Sequence, residues 1–320
     1  MRAVRWGVAA VGMAAAATAV WLWAPRPRVA PPAPSSWQAP SLADLDRWVA
    51  EQNDVPDVIP GTEARIRWVH TSSTQTPWSI VHVHGFSASR QETAPLAERV
   101  ADAIQANLFE TRLTGHGRTG AALGRATARD WIEDAQRAAA VGRVLGERVA
   151  VLASSTGATL AALLSAHRAW QVDAQIWLSP NFGPRDPAAR VLTLPWARIW
   201  VPWVAGKERS WEPENEAQGR YWTTRYPVGV LFEMQALVEA AQGAPLEQIE
   251  TPVLMFHHKD DPVVDVSAMT DAFARLGSAR RRRVAVRGPG DGHVLAGRIL
   301  SPDRTAAIAE DAARFLRQGD

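Results

Sequence analysis

The sequence predicts a mainly parallel, doubly wound α/β sheet, because short apolar β-type runs alternate with helical segments of ten or more residues. The alternation runs from about residue 65 to the C-terminus and is broken once, between residues 181 and 245. Ser155, Asp261 and His293 each follow a predicted strand. In such sheets ligands bind beyond the carboxyl ends of the strands, so we expect these three side chains to meet at one edge.

The elements follow from the period of the apolar residues and from the residues that end each run. Short β-branched and apolar runs predict strands at residues 65–70, 79–83, 107–113, 149–153, 174–178, 253–257 and 283–286. Helical spacing predicts helices at residues 42–51, 92–106, 126–145, 266–276 and 305–317, and another directly after Ser155. We therefore assign the α/β core to residues 61–180 and 246–320.

Residues 181–245 interrupt the alternation with a segment rich in aromatic residues. It contains Trp196, Trp200, Trp203, Trp211, Tyr221, Trp222 and Tyr226. Long insertions between core elements commonly act as lids or binding elements, so we predict a helical lid here. Most of these rings are expected to pack the insertion onto the core. A few, namely Trp196, Trp200 and Trp203, are expected to line an apolar pocket above Ser155.

Residues 1–28 are expected to lie outside the α/β fold, as a membrane anchor or a signal segment. Residues 6–24 form an uncharged run of 19 residues, near the length that crosses a bilayer as a helix. We favour an uncleaved anchor over a cleaved signal peptide, because Pro25 disfavours cleavage directly before it. Residues 29–60 are predicted to be a proline-rich tether that includes the short first helix.

This N-terminal segment implies a membrane as a partner and places the rest of the chain on the non-cytoplasmic side, which is periplasmic or extracellular if the protein is bacterial. The alternative is secretion after cleavage of a signal. Arg26 and Arg28, on the far side of the apolar run, weaken the charge asymmetry that sets orientation.

Composition excludes several kinds of chemistry. The 320 residues carry a formal net charge of +2 and contain no cysteine, which excludes disulfides and thiol catalysis. The one basic run, residues 280–283, precedes an apolar strand and is interpreted as a solvated strand entry. The sequence also has no zinc-type ligand spacing. We therefore predict no metal, no cofactor and no nucleic-acid partner.

Ser155 is the candidate nucleophile, at the junction of a predicted strand and a predicted helix. The junction reads Ala153-Ser154-Ser155-Thr156-Gly157 and resembles the G-x-S-x-G turn, with Ala153 in place of the first glycine. Small neighbours let the backbone turn sharply, and the helix N-terminus favours developing negative charge. The alternative is that Ser155 is an ordinary helix N-cap.

Nucleophilic catalysis by serine requires a base and a carboxylate that orients the base. His293 is the candidate base, because it follows a strand in a glycine-rich loop near the chain end. The other histidines considered for this role are His84, His116, His257 and His258. For the carboxylate we favour Asp261 over the adjacent Asp260. The remaining candidates are Asp265, which suits a helix N-cap, and Asp291, which is close to His293 on the same loop.

These motifs together resemble the α/β-hydrolase superfamily, and most of all its carboxylesterase and monoacylglycerol-lipase or lysophospholipase-like branch. The resemblance covers residues 65–320 and includes two further motifs, His84-Gly85-Phe86 and Gly115-His116-Gly117. The order Ser, Asp, His along the chain is that of this superfamily. The resemblance implies that the backbone N–H groups of Phe86 and Thr156 bind the oxyanion.

We interpret the chain as a membrane-tethered serine hydrolase that cleaves a carboxylic ester, including lipid-like esters, through an acyl-enzyme. Ser155 would attack, His293 would accept its proton, and Asp261 would orient the imidazole. One rival is a thioesterase, amidase or acyltransferase with the same machinery. A second rival is an anchored binding protein on this fold that lacks turnover.

Overall fold

The computed structural model describes residues 18, 25–70 and 73–318. Within them nine strands are formed: β1 Arg65–Arg67, β2 Thr76–Val83, β3 Asn107–Glu110, β4 Gly146–Ser154, β5 Ala174–Leu178, β6 Glu208–Ser210, β7 Arg225–Pro227, β8 Val253–His257 and β9 Arg281–Ala285. Seven of them form one sheet in the order β1-β3-β2-β4-β5-β8-β9. Only the edge strand β1 is antiparallel to its neighbour, so the prediction of a mainly parallel sheet is confirmed.

The helices of the described chain are α1 Leu45–Asn53, α2 Leu96–Ala103, α3 Gly120–Leu123, α4 Ala128–Leu145, α5 Thr156–Ala166, α6 Ala197–Val204, α7 Glu216–Tyr221, α8 Gly229–Gln242, α9 Val266–Ala274 and α10 Pro302–Arg317. Short 3-10 turns occur at Leu42–Asp44, Arg90–Glu92, Pro187–Thr193 and Leu246–Gln248. The predicted helix at residues 92–106 is therefore a 3-10 turn followed by the shorter α2.

Helices cover both faces of the sheet, as the doubly wound prediction requires. Successive residues of a strand point to opposite faces, and in β4 Val149 and Val151 join one buried cluster while Ala150 and Leu152 join the other. The first cluster includes the inward faces of α4 and α5, and the second includes those of α2 and α10. Burial on both faces explains why the central strands are continuous apolar runs.

Residues 181–245 form a separate group of elements between β5 and β8. They contain a 3-10 turn, α6, the antiparallel pair β6–β7, α7 and α8. Phe232 of α8 is buried with Val201 of α6, while Val230 and Leu237 of α8 belong to the same buried cluster as α5. The insertion is therefore attached to the core through α8, and also through Trp222, which is buried with Ala88 and Val294.

The described part of the N-terminal region lies against the core. Pro27 is buried, the Ala33 carbonyl accepts a hydrogen bond of 2.7 Å from Gln136 of α4, and Trp37 packs on Trp48 of α1. The predicted anchor or signal at residues 6–24 lies outside the described residues, apart from Thr18. A search of the described residues finds no helix with the length and apolar character needed to cross a bilayer.

Candidate active site

Ser155 lies at a sharp turn between β4 and α5 and has a left-handed backbone conformation, with φ of 50° and ψ of −117°. Non-glycine residues adopt positive φ rarely, and such residues concentrate at functional sites. A Cβ at Gly157 would collide with the carbonyl oxygen of Val83, so this position needs glycine. Ala153 is fully buried in β4, where its methyl group is accommodated.

The Ser155 side chain does not cap α5, which separates it from an ordinary N-cap serine. Its Oγ atom lies 3.0 Å from Nε2 of His293. On the other side of the ring, Nδ1 lies 2.9 Å from Oδ2 and 3.1 Å from Oδ1 of Asp261. With Nδ1 protonated and donating to Asp261, Nε2 is free to accept the Ser155 hydroxyl proton. The structure thus brings together the three residues predicted from the sequence.

Backbone groups hold the Asp261 carboxylate in place. Its Oδ1 atom accepts hydrogen bonds of 2.8 and 3.0 Å from the N–H groups of Val263 and Val264, and the residue is 1% exposed. The neighbouring Asp260 is exposed beside Lys259. Asp261, rather than Asp260, is therefore the carboxylate on the His293 ring.

The loop that carries His293 is fixed by its own polar groups. Asp291 accepts a hydrogen bond of 2.6 Å from the His293 N–H and another from the Val294 N–H, so it organises the loop and does not orient the ring. Ser179, after β5, donates to the His293 carbonyl at 2.8 Å. Asp265 caps α9 by accepting from Ser267 N–H at 2.8 Å, as the sequence predicts.

Charge and burial act in opposite directions on His293 and Asp261. Burial alone would lower the pKa of His293, but the hydrogen bond and the charge of Asp261 outweigh it, and the pKa is raised above 6.5. Burial alone would raise the pKa of Asp261, but His293 and the two backbone donors outweigh it, and the pKa is lowered. The pair is therefore arranged as a base supported by an ionised carboxylate.

Two backbone N–H groups lie on the segments that flank Ser155. Among the described residues, neither the Phe86 nor the Thr156 N–H donates to a protein acceptor. The Phe86 ring makes edge contacts with Trp131 and Tyr226 at 5.9 and 5.4 Å between centroids, which fix the backbone on which its N–H lies. These two donors are thus available to an oxyanion.

The other candidate histidines are engaged elsewhere. His84 accepts from the Leu113 N–H at 3.1 Å and faces the Gly85 carbonyl, and burial lowers its pKa to about 4. His116 packs on His84 with ring centroids 5.0 Å apart, and burial likewise lowers its pKa. The His258 ring accepts from the Asp260 N–H. Burial also lowers the pKa of His257.

Glu92 belongs to this site although no sequence motif indicated it. It is 3% exposed, and its Oε2 atom accepts a hydrogen bond of 2.8 Å from the Gly85 N–H, next to Phe86. A side chain at Gly85 would meet both the Glu92 carboxyl and the Ser155 Cβ. Burial raises the pKa of Glu92, and the charge of His293 opposes that rise.

A cavity of about 450 Å³ opens onto Ser155 and His293. Its apolar wall comes from both core and insertion, and includes Phe86, Trp211, Trp222, Tyr226, Met234, Val294 and Leu300. Arg209, Glu212 and Glu214 add charged groups. Such a mixture of apolar surface and a few polar groups is typical of small-molecule sites.

The prediction that Trp196, Trp200 and Trp203 line this cavity is wrong: its described lining takes Trp211 and Trp222 from the insertion instead. Trp203 projects into solvent and is 88% exposed, and the Trp200 indole donates to the Pro195 carbonyl. The aromatic composition indicated the right segment but not the side-chain directions.

Within residues 25–70 and 73–318, no group of three or more His, Asp or Glu side chains is placed to hold a metal ion.

Comparison with known proteins assigns the chain to a family. The family described as serine aminopeptidase, S33, matches residues 74–288, which is more than half of the chain. The chain belongs to this family. The match spans β2 to the loop after β9 and includes Ser155 and Asp261, and it ends before His293. A search of curated proteins finds no match.

Solved structures share the fold of this S33 family member at low sequence identity. One solved structure, described under the two metagenome-derived lipolytic enzymes LipS and LipT, has a TM-score of 0.68 at 20% identity. The match covers 81% of this chain and 99% of that one. A soluble variant of monoglyceride lipase from Saccharomyces cerevisiae, bound to a substrate analog, has a TM-score of 0.60 at 12% identity, covering 83% and 97%.

The monoacylglycerol lipase of Paleococcus ferrophilus has a TM-score of 0.58 at 14% identity, covering 79% of this chain and 98% of its own. At these identities the likenesses show the fold, which is that of the α/β-hydrolase superfamily. Together with the family match they identify a serine hydrolase.

Proposed function

We propose that this S33 family member hydrolyses carboxylic esters through a Ser155–His293–Asp261 triad and an acyl-enzyme. The observation that carries the proposal is the continuous hydrogen-bonded path from Asp261 through His293 to the Ser155 hydroxyl, at the wall of a largely apolar cavity. In this arrangement Ser155 supplies the nucleophile, His293 the base and Asp261 the carboxylate that orients the base.

In the first half-reaction Ser155 Oγ attacks the ester carbonyl carbon while its proton passes to His293 Nε2. The carbonyl oxygen becomes an oxyanion, which the N–H groups of Phe86 and Thr156 stabilise. The imidazolium donates its proton to the leaving alkoxyl oxygen, so that an alcohol departs and an acyl-Ser155 ester remains. Asp261 stabilises the positive charge on the ring throughout.

In the second half-reaction a water molecule replaces the alcohol. His293 takes a proton from the water as its oxygen attacks the acyl carbon, and returns it to Ser155 Oγ as the acyl bond breaks. A carboxylic acid leaves and Ser155 is restored. No step needs a metal or an electron carrier.

The cavity favours an ester with an apolar acyl or alcohol group of short to medium length. Its volume of about 450 Å³ is in the lower part of the range for small-molecule sites, and its wall is mostly aromatic and aliphatic. Two solved relatives are monoglyceride or monoacylglycerol lipases, which supports a lipid-like ester. Residues 181–245, which supply Trp211, Trp222 and Tyr226, would then act as the lid.

A second candidate is hydrolysis of an amide that has a free amino group. The family description is an aminopeptidase, and Glu212 and Glu214 line the cavity, where a carboxylate would attract an ammonium group. Arg209 in the same lining offsets part of that charge, and we rank the ester first.

Both candidates are tested by labelling and by a substrate panel. A fluorophosphonate probe followed by peptide mapping should modify Ser155, and Ser155→Ala should lose labelling and about 10⁶-fold in rate, whereas Ser154→Ala should retain both. p-Nitrophenyl acetate, butyrate and octanoate would be compared with aminoacyl p-nitroanilides. Labelling of another serine would overturn the triad, and turnover of anilides alone would select the amide.

We also propose that residues 6–24 attach the enzyme to a membrane, with the hydrolase domain on the non-cytoplasmic side. The support is the uncharged run of 19 residues, near the length of a membrane-spanning helix. Membrane fractionation and the intact mass of the purified protein test this proposal. A soluble protein with its N-terminus intact would contradict it.

A further inference from the structure

Residues 194–204 expose a large apolar surface on the outside of the insertion. We define the 194–204 surface by its five apolar side chains, which are Leu194, Trp196, Ile199, Trp203 and Val204. Trp203 is 88% exposed, Val204 is 80% exposed and Ile199 is 59% exposed. Apolar side chains scattered singly on a surface are ordinary, but a contiguous group of large ones marks a site of interaction.

The helix α6 is apolar on both of its faces. Ala197 and Val201, four residues apart, are buried against Phe232 of α8. Ile199 and Trp203, also four residues apart, point away from that contact and are exposed. A surface helix in water normally carries polar residues on its outer face, so the outer face of α6 is suited to a non-aqueous partner.

The surface contacts Pro25, the residue that follows the apolar N-terminal run in the sequence. The Trp196 N–H donates to the Pro25 carbonyl at 3.3 Å, and Pro25 directly follows residues 6–24, which carry no charge. In the sequence, a segment of membrane-spanning length therefore directly precedes a residue that contacts the 194–204 surface.

Basic residues outnumber acidic ones in the sequence around this surface and at its N-terminal neighbour. Between residues 185 and 209 the chain has five basic residues and two acidic ones, and Arg26 and Arg28 are the only charged residues between 25 and 43. Of the five, Arg198 is paired with Glu233, Arg185 donates to the Asp261 carbonyl and Arg209 lines the cavity beside Ser155, which leaves Arg190 and Lys207 on either side of the surface in the sequence. An excess of arginine and lysine next to an apolar helix face is complementary to anionic lipid headgroups.

We propose that the 194–204 surface is embedded in the interface of an anionic phospholipid membrane, with α6 lying in the membrane plane. Tryptophan is favoured at the boundary between headgroups and acyl chains, which is where Trp196 and Trp203 would lie. This contact is additional to the N-terminal segment and independent of the proposed reaction. In this arrangement the apolar outer face of α6 contacts lipid instead of water.

The absence of cysteine allows a clean labelling experiment on the full-length chain. Ile199→Cys and Val204→Cys variants would each be labelled with an environment-sensitive nitrobenzoxadiazole group and reconstituted into vesicles of phosphatidylcholine and phosphatidylglycerol. Val55→Cys is the matched control, because Val55 is also an exposed apolar residue but lies in the loop after α1. Vesicles with nitroxide (doxyl) groups on their acyl chains quench only labels that enter the bilayer boundary.

We expect the nitroxide lipids to lower the emission at positions 199 and 204 by at least about twofold, since an interfacial helix places its apolar face ~5–10 Å into the boundary. The label at position 55 should not change. Circular dichroism would establish that each labelled variant is folded. If the labels at 199 and 204 were no more quenched than the label at 55, the proposal would be overturned. That outcome would mean that water, another part of the chain or a second copy covers the surface.

Discussion

The buried carboxylate of Glu92 accepts a hydrogen bond of 2.8 Å from the backbone N–H of Gly85. Gly85 lies between His84, whose ring is fixed by the Leu113 N–H, and Phe86, whose own N–H faces no protein acceptor among the described residues. Glu92 therefore holds the backbone segment that presents one of the two proposed oxyanion donors. We assign it a positioning role, since it is not needed to form or break a bond.

Replacing Glu92 should separate its two effects, one on geometry and one on charge. Glu92→Gln retains an acceptor for the Gly85 N–H, so kcat should stay within about threefold of wild type, while Glu92→Leu leaves a buried donor unsatisfied at a cost of ~1–3 kcal/mol. We expect Glu92→Leu to lower kcat by about tenfold or more with little change in KM. Equal kcat in both variants, with unchanged thermal stability, would remove the positioning role.

Asp261→Asn should lower kcat by several orders of magnitude, about 10⁴-fold in the serine-protease example, because an amide no longer fixes the imidazole tautomer. Asp260→Asn is the matched control: this neighbouring carboxylate is exposed and pairs with Lys259, so its loss should change the rate by less than about threefold. Steady-state kinetics on a p-nitrophenyl ester measures both variants. A larger loss in Asp260→Asn would contradict the proposed carboxylate.

The pH dependence of kcat/KM should report His293. The ring must be neutral to accept the Ser155 proton, and Asp261 raises its pKa above 6.5. Activity should therefore fall as the pH drops through a midpoint above 6.5. The charge of Glu92 also raises the pKa of His293, so Glu92→Gln should move that midpoint to lower pH. A midpoint below 6.5 in the wild type would contradict the assignment to His293. An unmoved midpoint in the variant would show instead that Glu92, whose pKa burial raises, is uncharged when the ring titrates.

Strands buried on both faces were the most predictable part of the fold. The strands β5 and β8 begin and end at the predicted residues, because mainly apolar runs bounded by polar residues or proline have few alternatives. The strand predicted at residues 107–113 ends at Glu110, since the chain then turns to place Thr114 against Trp131 and Asp134 of α4. Proline at the first position of α10 was the available signal for its earlier start.

Site residues that directly follow a strand could be predicted from the sequence. Those whose role depends on where the side chain points in the folded protein could not. Ser155, Asp261 and His293 meet because parallel strands bring their carboxyl ends to one edge. Glu92 was missed because it appears in the sequence as part of a helix, whereas a 3-10 turn, Arg90–Glu92, points it at Gly85. Trp203 was predicted to line the cavity and Trp211 was not, although the structure shows the reverse. The reason is again that composition carries no information on where a ring points.

Trp211 should set the preference for acyl or alcohol chain length. It lines the cavity beside Ser155. Its backbone N–H donates to the Thr224 carbonyl at 3.1 Å, which fixes the backbone that carries the indole. A substrate chain that contacts the ring gains about 0.8 kcal/mol per buried methylene. Trp211→Ala should therefore lower kcat/KM for p-nitrophenyl octanoate by ~10–100-fold, from two or three lost methylene contacts, and should affect the acetate ester little.

Trp203→Ala is the matched control for this substitution, because Trp203 belongs to the same insertion but is exposed outside the cavity. Its chain-length profile should equal that of the wild type when soluble esters are used below their critical micelle concentration. Trp222 also lines the cavity, but it is buried against Ala88 and Val294, so its replacement would mix destabilisation with specificity. If Trp211→Ala and Trp203→Ala gave the same profile as the wild type, the apolar chain would have to bind on the core side of the cavity, against Phe86, Val294 and Leu300.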